Sequence, residues 1–230
     1  VWAILIEQYG RDTIIQIDLN AFEQNIQSFQ EYLPAGTQIM VAVKANAYGH
    51  GAIPMAKAAM RAGASYLGVA FVDEGIELRK AGVDIPILIL GYTPSFALED
   101  AIKYRLTLTV FSLDQGKAIF NTAQQLDMSA TIHIKIDTGM GRIGVQPEEA
   151  TILLEQLMGM PLLYIEGVYT HLATADDINT EYLTKQYTTF VGVIDELEKK
   201  SITIPIIHIA NSPGAIQIPK AVFNMVRLGI

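Results

Sequence analysis

The stretch VAVKANAYGHG, residues 41–51, begins as a buried strand and stops being one at Lys44. Alternation along a strand puts Val41 and Val43 on one face and Ala42 and Lys44 on the other. Beyond Lys44, the residues Asn46 and Tyr48 and the glycines Gly49 and Gly51 end the extended run. A buried ammonium is costly unless it is paired or neutralised. Lys44 therefore reads either as a strand-end lysine with its head in water or as a lysine at the mouth of a site.

The rest of the chain decides the setting of that strand. Short apolar, β-branched runs recur at 39–45, 65–71, 85–91, 106–112, 130–137, 162–172, 204–211 and 223–230, which makes eight. Helical patterns fill the gaps, such as AIPMAKAAMRAG (52–63), DEGIELRKAG (73–82) and the long segment 176–200, with Leu183, Tyr187, Phe190, Val191 and Ile194 at helical spacing. Strands alternating with helices imply a parallel sheet with right-handed crossovers. Eight such units predict a closed (β/α)8 TIM barrel. The alternative is an open doubly wound sheet, but no G-x-G-x-x-G follows the first strand. Before that strand, IIQIDLNAFEQNIQSFQEYL (14–33) reads as a further strand and then a helix capped near Asp18 or Asn20.

Length and composition agree with one large domain. The chain has 230 residues, half of them apolar, and a net charge of −8. Such a charge argues against nucleic acid or an anionic membrane as partner. The absence of cysteine excludes disulfides and thiolate metal sites and fits a cytoplasmic protein. No metal site is expected. No run of 18 or more apolar residues is present, and VWAILIE at the start is too short for a signal sequence. The first residue is Val, so a preceding segment is expected to be missing. Residues 1–13 read as an N-terminal extension and 14–230 as the barrel domain.

Active sites of such barrels lie at the carboxyl ends of the strands. Polar residues collect there: Lys44, Asn46 and Tyr48 after strand one, Lys135, Asp137 and Arg142 after strand five, His171 after strand six, His208, Asn211 and Ser212 after strand seven, and Arg227 and Gly229 at strand eight. In IHIKID, Ile132, Ile134 and Ile136 share the face expected under the helices, while His133, Lys135 and Asp137 should point into the barrel mouth. Two lysines, two arginines and two histidines converging on one mouth leave room for an anion and a carbonyl partner. A lysine in a dry pocket near other cations becomes a nucleophile towards aldehydes. Glycine-rich strand ends offer N–H groups to a phosphate. Pyridoxal 5′-phosphate (PLP) carries both an aldehyde and a phosphate.

VAVKANAYGHG, IKIDTGMGRIGV, EGVYTHLATAD, HIANSPGA and VRLGI, in that order, resemble the alanine racemases, barrel-type PLP enzymes, from about residue 14 to the end of the chain. The resemblance implies that Lys44 bonds the cofactor aldehyde and serves as one of two catalytic bases. It places Tyr48, Ser212, Gly229 and Ile230 at the cofactor's phosphate end, with Asn211 among the other cofactor-binding residues. Taken singly, Ser212 also reads as a turn residue and Tyr48 as a core aromatic. Arg227 matches an arginine facing the pyridine nitrogen, where a guanidinium leaves that nitrogen unprotonated. His208 matches the residue that buttresses this arginine, and reads equally as a satisfied core histidine. His171 matches a histidine packed against the ring, Leu90 a position that lines it, and Arg142 an arginine near the cofactor's phenolic oxygen and the substrate carboxylate. Lys135 matches a lysine carried as a carbamate that holds Arg142.

The same resemblance implies cytoplasmic supply of D-alanine for peptidoglycan, a homodimer, and a C-terminal β domain that gives the partner's active site a catalytic tyrosine. The chain ends right after strand eight, and none of its ten tyrosines matches that one. A barrel truncated before the second domain is the expectation, weak or inactive alone. The alternatives are a barrel-only PLP-binding protein, favoured only by length, and a serine racemase of the vancomycin-resistance type. Amino-acid decarboxylases on the same barrel differ around Arg142.

Overall fold

A computed structural model describes residues 14–229; the expected N-terminal extension, 1–13, and Ile230 lie outside the described residues. Eight parallel strands form a barrel: β1 (Gln38–Ala42), β2 (Tyr66–Val69), β3 (Ile87–Ile89), β4 (Thr107–Val110), β5 (Ala130–Lys135), β6 (Leu163–Tyr169), β7 (Ile206–His208) and β8 (Met225–Leu228). From β1 to β7 each strand pairs with the next in sequence, and β1 also pairs with β8. The seam between β7 and β8 is closed by a bridge between Asn211 and Arg227, with the Arg227 N–H donating to the Ala210 carbonyl at 2.9 Å. The predicted (β/α)8 barrel is therefore the observed one. Its strands are shorter than the apolar runs that announced them, because the backbone turns at the polar tips.

Two layers of core hold the barrel. Val41, Ile87, Ile89, Ile132, Ile134 and Val168 point outward and pack beneath the surrounding helices. Met40, Tyr66, Leu88, Tyr169, Ile206 and Met225 fill the interior. The inward set also carries buried Thr107, Thr109, His133, Lys135, His208 and Arg227, so this interior is unusually polar for its size.

One expected element is absent. Residues 14–18 form no strand; Ile14 and Ile15 are exposed and have no ladder partner among the described residues, and an unpaired extended segment is not a sheet. The helix that follows, α1 (Leu19–Tyr32), starts where expected: the Asp18 carboxylate accepts from the N–H groups of Asn20 and Ala21 at 2.9 and 3.1 Å.

A bulge alters the inward alternation on one strand. Ile132 pairs with Ile165, but His133 pairs with Gly167, so Glu166 is an extra residue in β6. Leu163 and Ile165 thus pack towards the helices before the bulge, while Tyr169 faces the interior after it. Gly167 is required there. A Cβ on it would lie 2.5 Å from Nδ1 of His133.

Candidate active site

At the carboxyl end of the barrel lies a cavity of about 460 Å3, within the roughly 300–1,000 Å3 range of small-molecule pockets. It brings together Lys44, Tyr48, Leu90, Lys135, Arg142, His171, Asn211, Ser212, Arg227 and Gly229, which are ten of the residues singled out in the sequence. Met40, Ala42 and Tyr169 complete much of its wall. Four of the lining residues are lysine or arginine, and none of those described is aspartate or glutamate. In a chain of net charge −8, that is a site built for an anion.

Lys44 stands just past the end of β1, half-buried. Burial lowers its pKa, the nearby Arg142 lowers it further, Glu74 opposes this, and Arg227 adds a smaller lowering. The amine is thus more readily neutral, and nucleophilic, than an ordinary lysine. The backbone that follows is unusual. Ala45, Asn46, Ala47 and Tyr48 have φ of 53°, 53°, 52° and 53°, four left-handed residues in a row, none of them glycine. Several hydrogen bonds hold this turn; among them, Ala45 N–H donates to Glu74 Oε1 at 2.6 Å, Ala47 N–H to the Val43 carbonyl at 2.9 Å, and Ala52 N–H to Asn46 Oδ1 at 2.7 Å. Glu74 Oε2 also accepts from the Ala70 N–H at 2.6 Å, clamping the tips of β1 and β2 together. Asn46 is thereby a brace for the turn. Tyr48, with burial raising its pKa, comes off the same turn.

Lys135, at the end of β5, is buried, and its pKa falls to about 8 through burial first and then the charges of Arg142 and Arg227. Arg142 itself is exposed, on the loop after β5. Asp137, expected in the mouth, instead shapes that loop. Its Oδ1 accepts from the N–H groups of Gly139 and Gly141, both at 3.0 Å, and it does not line the cavity. Gly144, at φ 146°, closes the loop so tightly that a Cβ would lie 2.5 Å from the Asp137 nitrogen.

Arg227 is the most heavily bonded group of the site. Its Nη1 donates to His208 Nδ1 at 3.0 Å and to the His208 carbonyl at 3.2 Å. Its Nη2 donates to the carbonyls of Thr170 and Ile209 at 2.8 and 3.0 Å, with His171 Nδ1 at 3.3 Å. Burial lowers its pKa to about 10, which still leaves a cation at neutral pH. His208 is fully buried, and burial together with Arg227 holds it well below the ordinary imidazole range, hence neutral. His171 falls to about 3 through burial, Arg227, Lys135, Arg142 and Lys44. At the seam, Ser212 Oγ accepts from the Gly229 N–H at 3.1 Å, and a Cβ built on Gly229 meets nothing within 4 Å. Asn211 Oδ1 accepts from the Gly214 N–H at 3.0 Å.

Tyr169 and Glu166 were not singled out in the sequence. Tyr169 stands two residues before His171 in YTH, on the same parity, which is the one signal that could have found it. It forms the floor of the cavity: its ring stacks on His208, and Lys135 Nζ and Arg227 Cζ lie 5.7 and 5.4 Å from its centroid.

The donor set fits PLP. A half-buried amine of lowered pKa suits an aldehyde, and the cationic wall with open backbone at Gly229 suits a phosphate and a carboxylate. Among known proteins, the chain is 44% identical over 229 residues to an alanine racemase of Geobacillus kaustophilus, covering 98% of this chain and 58% of that protein. It is 43% identical over 221 residues to alanine racemase 1 of Oceanobacillus iheyensis, covering 96% and 59%. The solved alanine racemase of Clostridium difficile 630 superposes with a TM-score of 0.89 at 40% identity, over 96% of this chain and 59% of that one. The chain thus spans just under three fifths of the relatives it matches. The sequence pattern described as "Alanine racemase, N-terminal domain" matches residues 17–230, and the chain belongs to that family.

Proposed function

We propose that the protein is a PLP-dependent racemase that interconverts L- and D-alanine, and that the cavity around Lys44 is its active site. The observation that carries this reading is the convergence of Lys44, Lys135, Arg142 and Arg227 on one cavity without a carboxylate among the described lining residues. PLP, when bound, supplies an aldehyde for amino groups and a ring that withdraws electrons from the neighbouring Cα–H bond. Lys44 would hold the aldehyde carbon, its lowered pKa leaving a free lone pair for the bond. Tyr48, Asn211, Ser212 and the Gly229 backbone, with Ile230, would hold the phosphate. His171 and Leu90 would flank the ring, and Arg142 would hold the substrate carboxylate.

Arg227 would face the ring nitrogen. A guanidinium does not readily give up its proton, so Arg227 would leave that nitrogen unprotonated and disfavour side reactions that need a stronger electron sink. The Lys44 amine would take or return the α-proton on its own face of the substrate. Racemisation needs a second base opposite, which the family resemblance assigns to a β domain of a partner subunit, so a homodimer is part of this reading. A chain without cysteine fits the cytoplasm as its compartment, and peptidoglycan precursors are the proposed destination of the D-alanine. The relatives are named alanine racemases, which favours alanine over serine and catalysis over cofactor storage.

Borohydride treatment of the protein with PLP bound tests the assignment. Peptide mass mapping should find the pyridoxyl group on Lys44. Its appearance on another lysine, or no label in PLP-saturated protein, would refute it.

A further inference from the structure

The described ion pairs give Arg227 no carboxylate partner, although it is a fully buried cation. Following its hydrogen bonds leads to one. Arg227 Nη1 meets His208 Nδ1 at 3.0 Å, His208 Nε2 meets His133 Nδ1 at 2.9 Å, and His133 Nε2 meets Glu166 Oε2 at 3.0 Å. The same oxygen accepts from the Tyr66 hydroxyl at 2.7 Å, and Tyr66 is paired with Thr107 Oγ1 at 2.6 Å. Glu166 borders a hollow at the opposite end of the barrel, with Tyr66, Arg79 and Thr107. The line therefore runs through the interior from one barrel mouth to the other.

Its direction follows from elementary donor and acceptor rules. Arginine only donates and a carboxylate only accepts, while a neutral imidazole has one of each. His208 must then present the Nδ1 lone pair to Arg227 and carry its proton on Nε2. His133 must accept at Nδ1 and carry its proton on Nε2, aimed at Glu166. A proton added to His208 would set two donors face to face at Arg227. One added to His133 would force His208 into the other tautomer and break the same bond. The chain admits a single protonation pattern, specified from both ends.

The backbone is shaped to build it. Glu166 is the extra residue of the β6 bulge, and Gly167 beside it leaves the space that the His133 ring occupies.

We propose that Glu166 and His133 are positioning residues for the reaction in the Lys44 cavity: with His208 they form a one-way hydrogen-bonded chain that fixes the Arg227 guanidinium and links it to a carboxylate counter-charge across the barrel. Glu166 can supply that charge. Burial opposes its ionisation, but the bonds from His133 and Tyr66 outweigh burial and hold the carboxyl below its ordinary range. Burial likewise keeps His133 neutral against the pull of Glu166.

The test uses the purified protein labelled with 15N-histidine, with PLP bound and again after its removal. Long-range 1H–15N spectra distinguish the two neutral tautomers from imidazolium. Both His133 and His208 should be neutral with the proton on Nε2; an Nδ1–H tautomer or an imidazolium at either position near neutral pH would overturn the chain. Glu166→Gln keeps the shape and removes the charge. It should give His133 a mixture of tautomers and shift the His208 resonances, and, introduced into the longer protein carrying the second domain, it should lower kcat for alanine about tenfold, the rate equivalent of one hydrogen bond, with KM little changed. Tyr66→Phe, which leaves the chain whole, should keep the wild-type tautomers. Unaltered histidine spectra in Glu166→Gln, or altered spectra with unaltered kcat, would refute the positioning role. Should Glu166→Gln fail to fold, the wild-type tautomers decide by themselves. Only the kinetic arm rests on the racemase reading: a protein that takes up no PLP would sink that reading, while the spectra still judge the chain.

Discussion

Tyr169 lies against His208 with ring centroids 4.6 Å apart and planes 11° from parallel. The stack explains how a neutral, fully buried imidazole keeps the orientation that Arg227 needs. The tyrosine is itself pinned, its hydroxyl paired with Thr109 Oγ1 at 2.8 Å, and burial pushes its pKa up to about 12, so it stays protonated.

Two substitutions separate these contributions. Tyr169→Phe keeps the stack and leaves Thr109 without its partner; it should cost about 1 kcal/mol of stability with activity nearly retained. Tyr169→Ala empties the cavity floor and should cost about 3–5 kcal/mol, and it frees His208 to tilt. Urea denaturation gives both values. Equal losses for the two variants would mean that the ring's packing contributes nothing beyond the hydroxyl.

The turn after Lys44 makes a second prediction. A left-handed conformation costs an L-residue roughly 1–2 kcal/mol, and four occur in succession. Ala45 is exposed, so a glycine there removes strain without opening a cavity. Ala45→Gly should stabilise the fold by up to ~1 kcal/mol, less the extra freedom glycine gives the unfolded chain. PLP should dissociate faster from the variant, since Lys44 sits on the loosened end. A destabilised Ala45→Gly with unchanged PLP release would mean that this turn stores no strain of use to the site.

How much of this was visible beforehand depends on the period of the signal. Repeated apolar runs announce eight strands, and two-residue alternation puts Lys135 and Lys44 inward, because both patterns are regular. Features that break a period leave no such trace. An extra residue at Glu166 reverses the parity of β6, and nothing in LLYIEGVY marks which position bulges apart from the glycine beside it. Ala45 and Ala47 carry no sign of a positive φ, which is imposed by Glu74, about thirty positions away in sequence. Asp137 sits on the inward parity, yet backbone N–H groups two and four residues ahead claim its carboxylate. The strand at 14–18 needed a partner that apolar patterning cannot supply.

Lys135 makes the third prediction. Its pKa of about 8 lies below the 10.5 of an ordinary lysine, so a larger share of the amine is neutral near neutral pH. Only a neutral amine adds to carbon dioxide, forming an N–C bond and releasing a proton to leave a carbamate. A carbamate beside Arg142 would turn a costly cation into an anion with a cationic neighbour. Protein equilibrated with 13C-bicarbonate should show a carbamate resonance that Lys135→Ala lacks. Activity lost in Lys135→Ala should be partly restored by small carboxylates. The sign for the unmodified amine is also fixed: with the folded pKa below the unfolded one, the burial penalty is full below about pH 8 and fades as pH rises towards 10.5. Lys135→Met measured without carbon dioxide should therefore gain stability at pH 7 and lose that gain by about pH 10. A missing carbamate signal would leave Lys135 as an unpaired buried amine and remove the proposed support for Arg142.

The last prediction concerns the residues of this chain acting alone. Racemisation requires a proton removed on one face of the α-carbon and delivered on the other, by groups within hydrogen-bonding reach. Lys44 covers one face. Among the other described lining residues, His171, lowered to about 3, is too weak to hold a proton. Tyr169, raised to about 12, is committed to Thr109. Tyr48 is raised by burial and comes off the same turn as Lys44. Lys135, at about 8, is the one group whose pKa suits a base, and it is the one proposed to be carbamylated. The isolated 230-residue chain should thus take up PLP on Lys44 and exchange the α-proton of D-alanine with deuterated solvent only slowly. Net interconversion should be negligible beside that of a longer protein carrying the second domain. Chiral chromatography with deuterium counting reads both quantities. Efficient two-way racemisation by the isolated chain would overturn the assignment of the second base to another domain, and its loss in Lys135→Ala would identify the residue responsible.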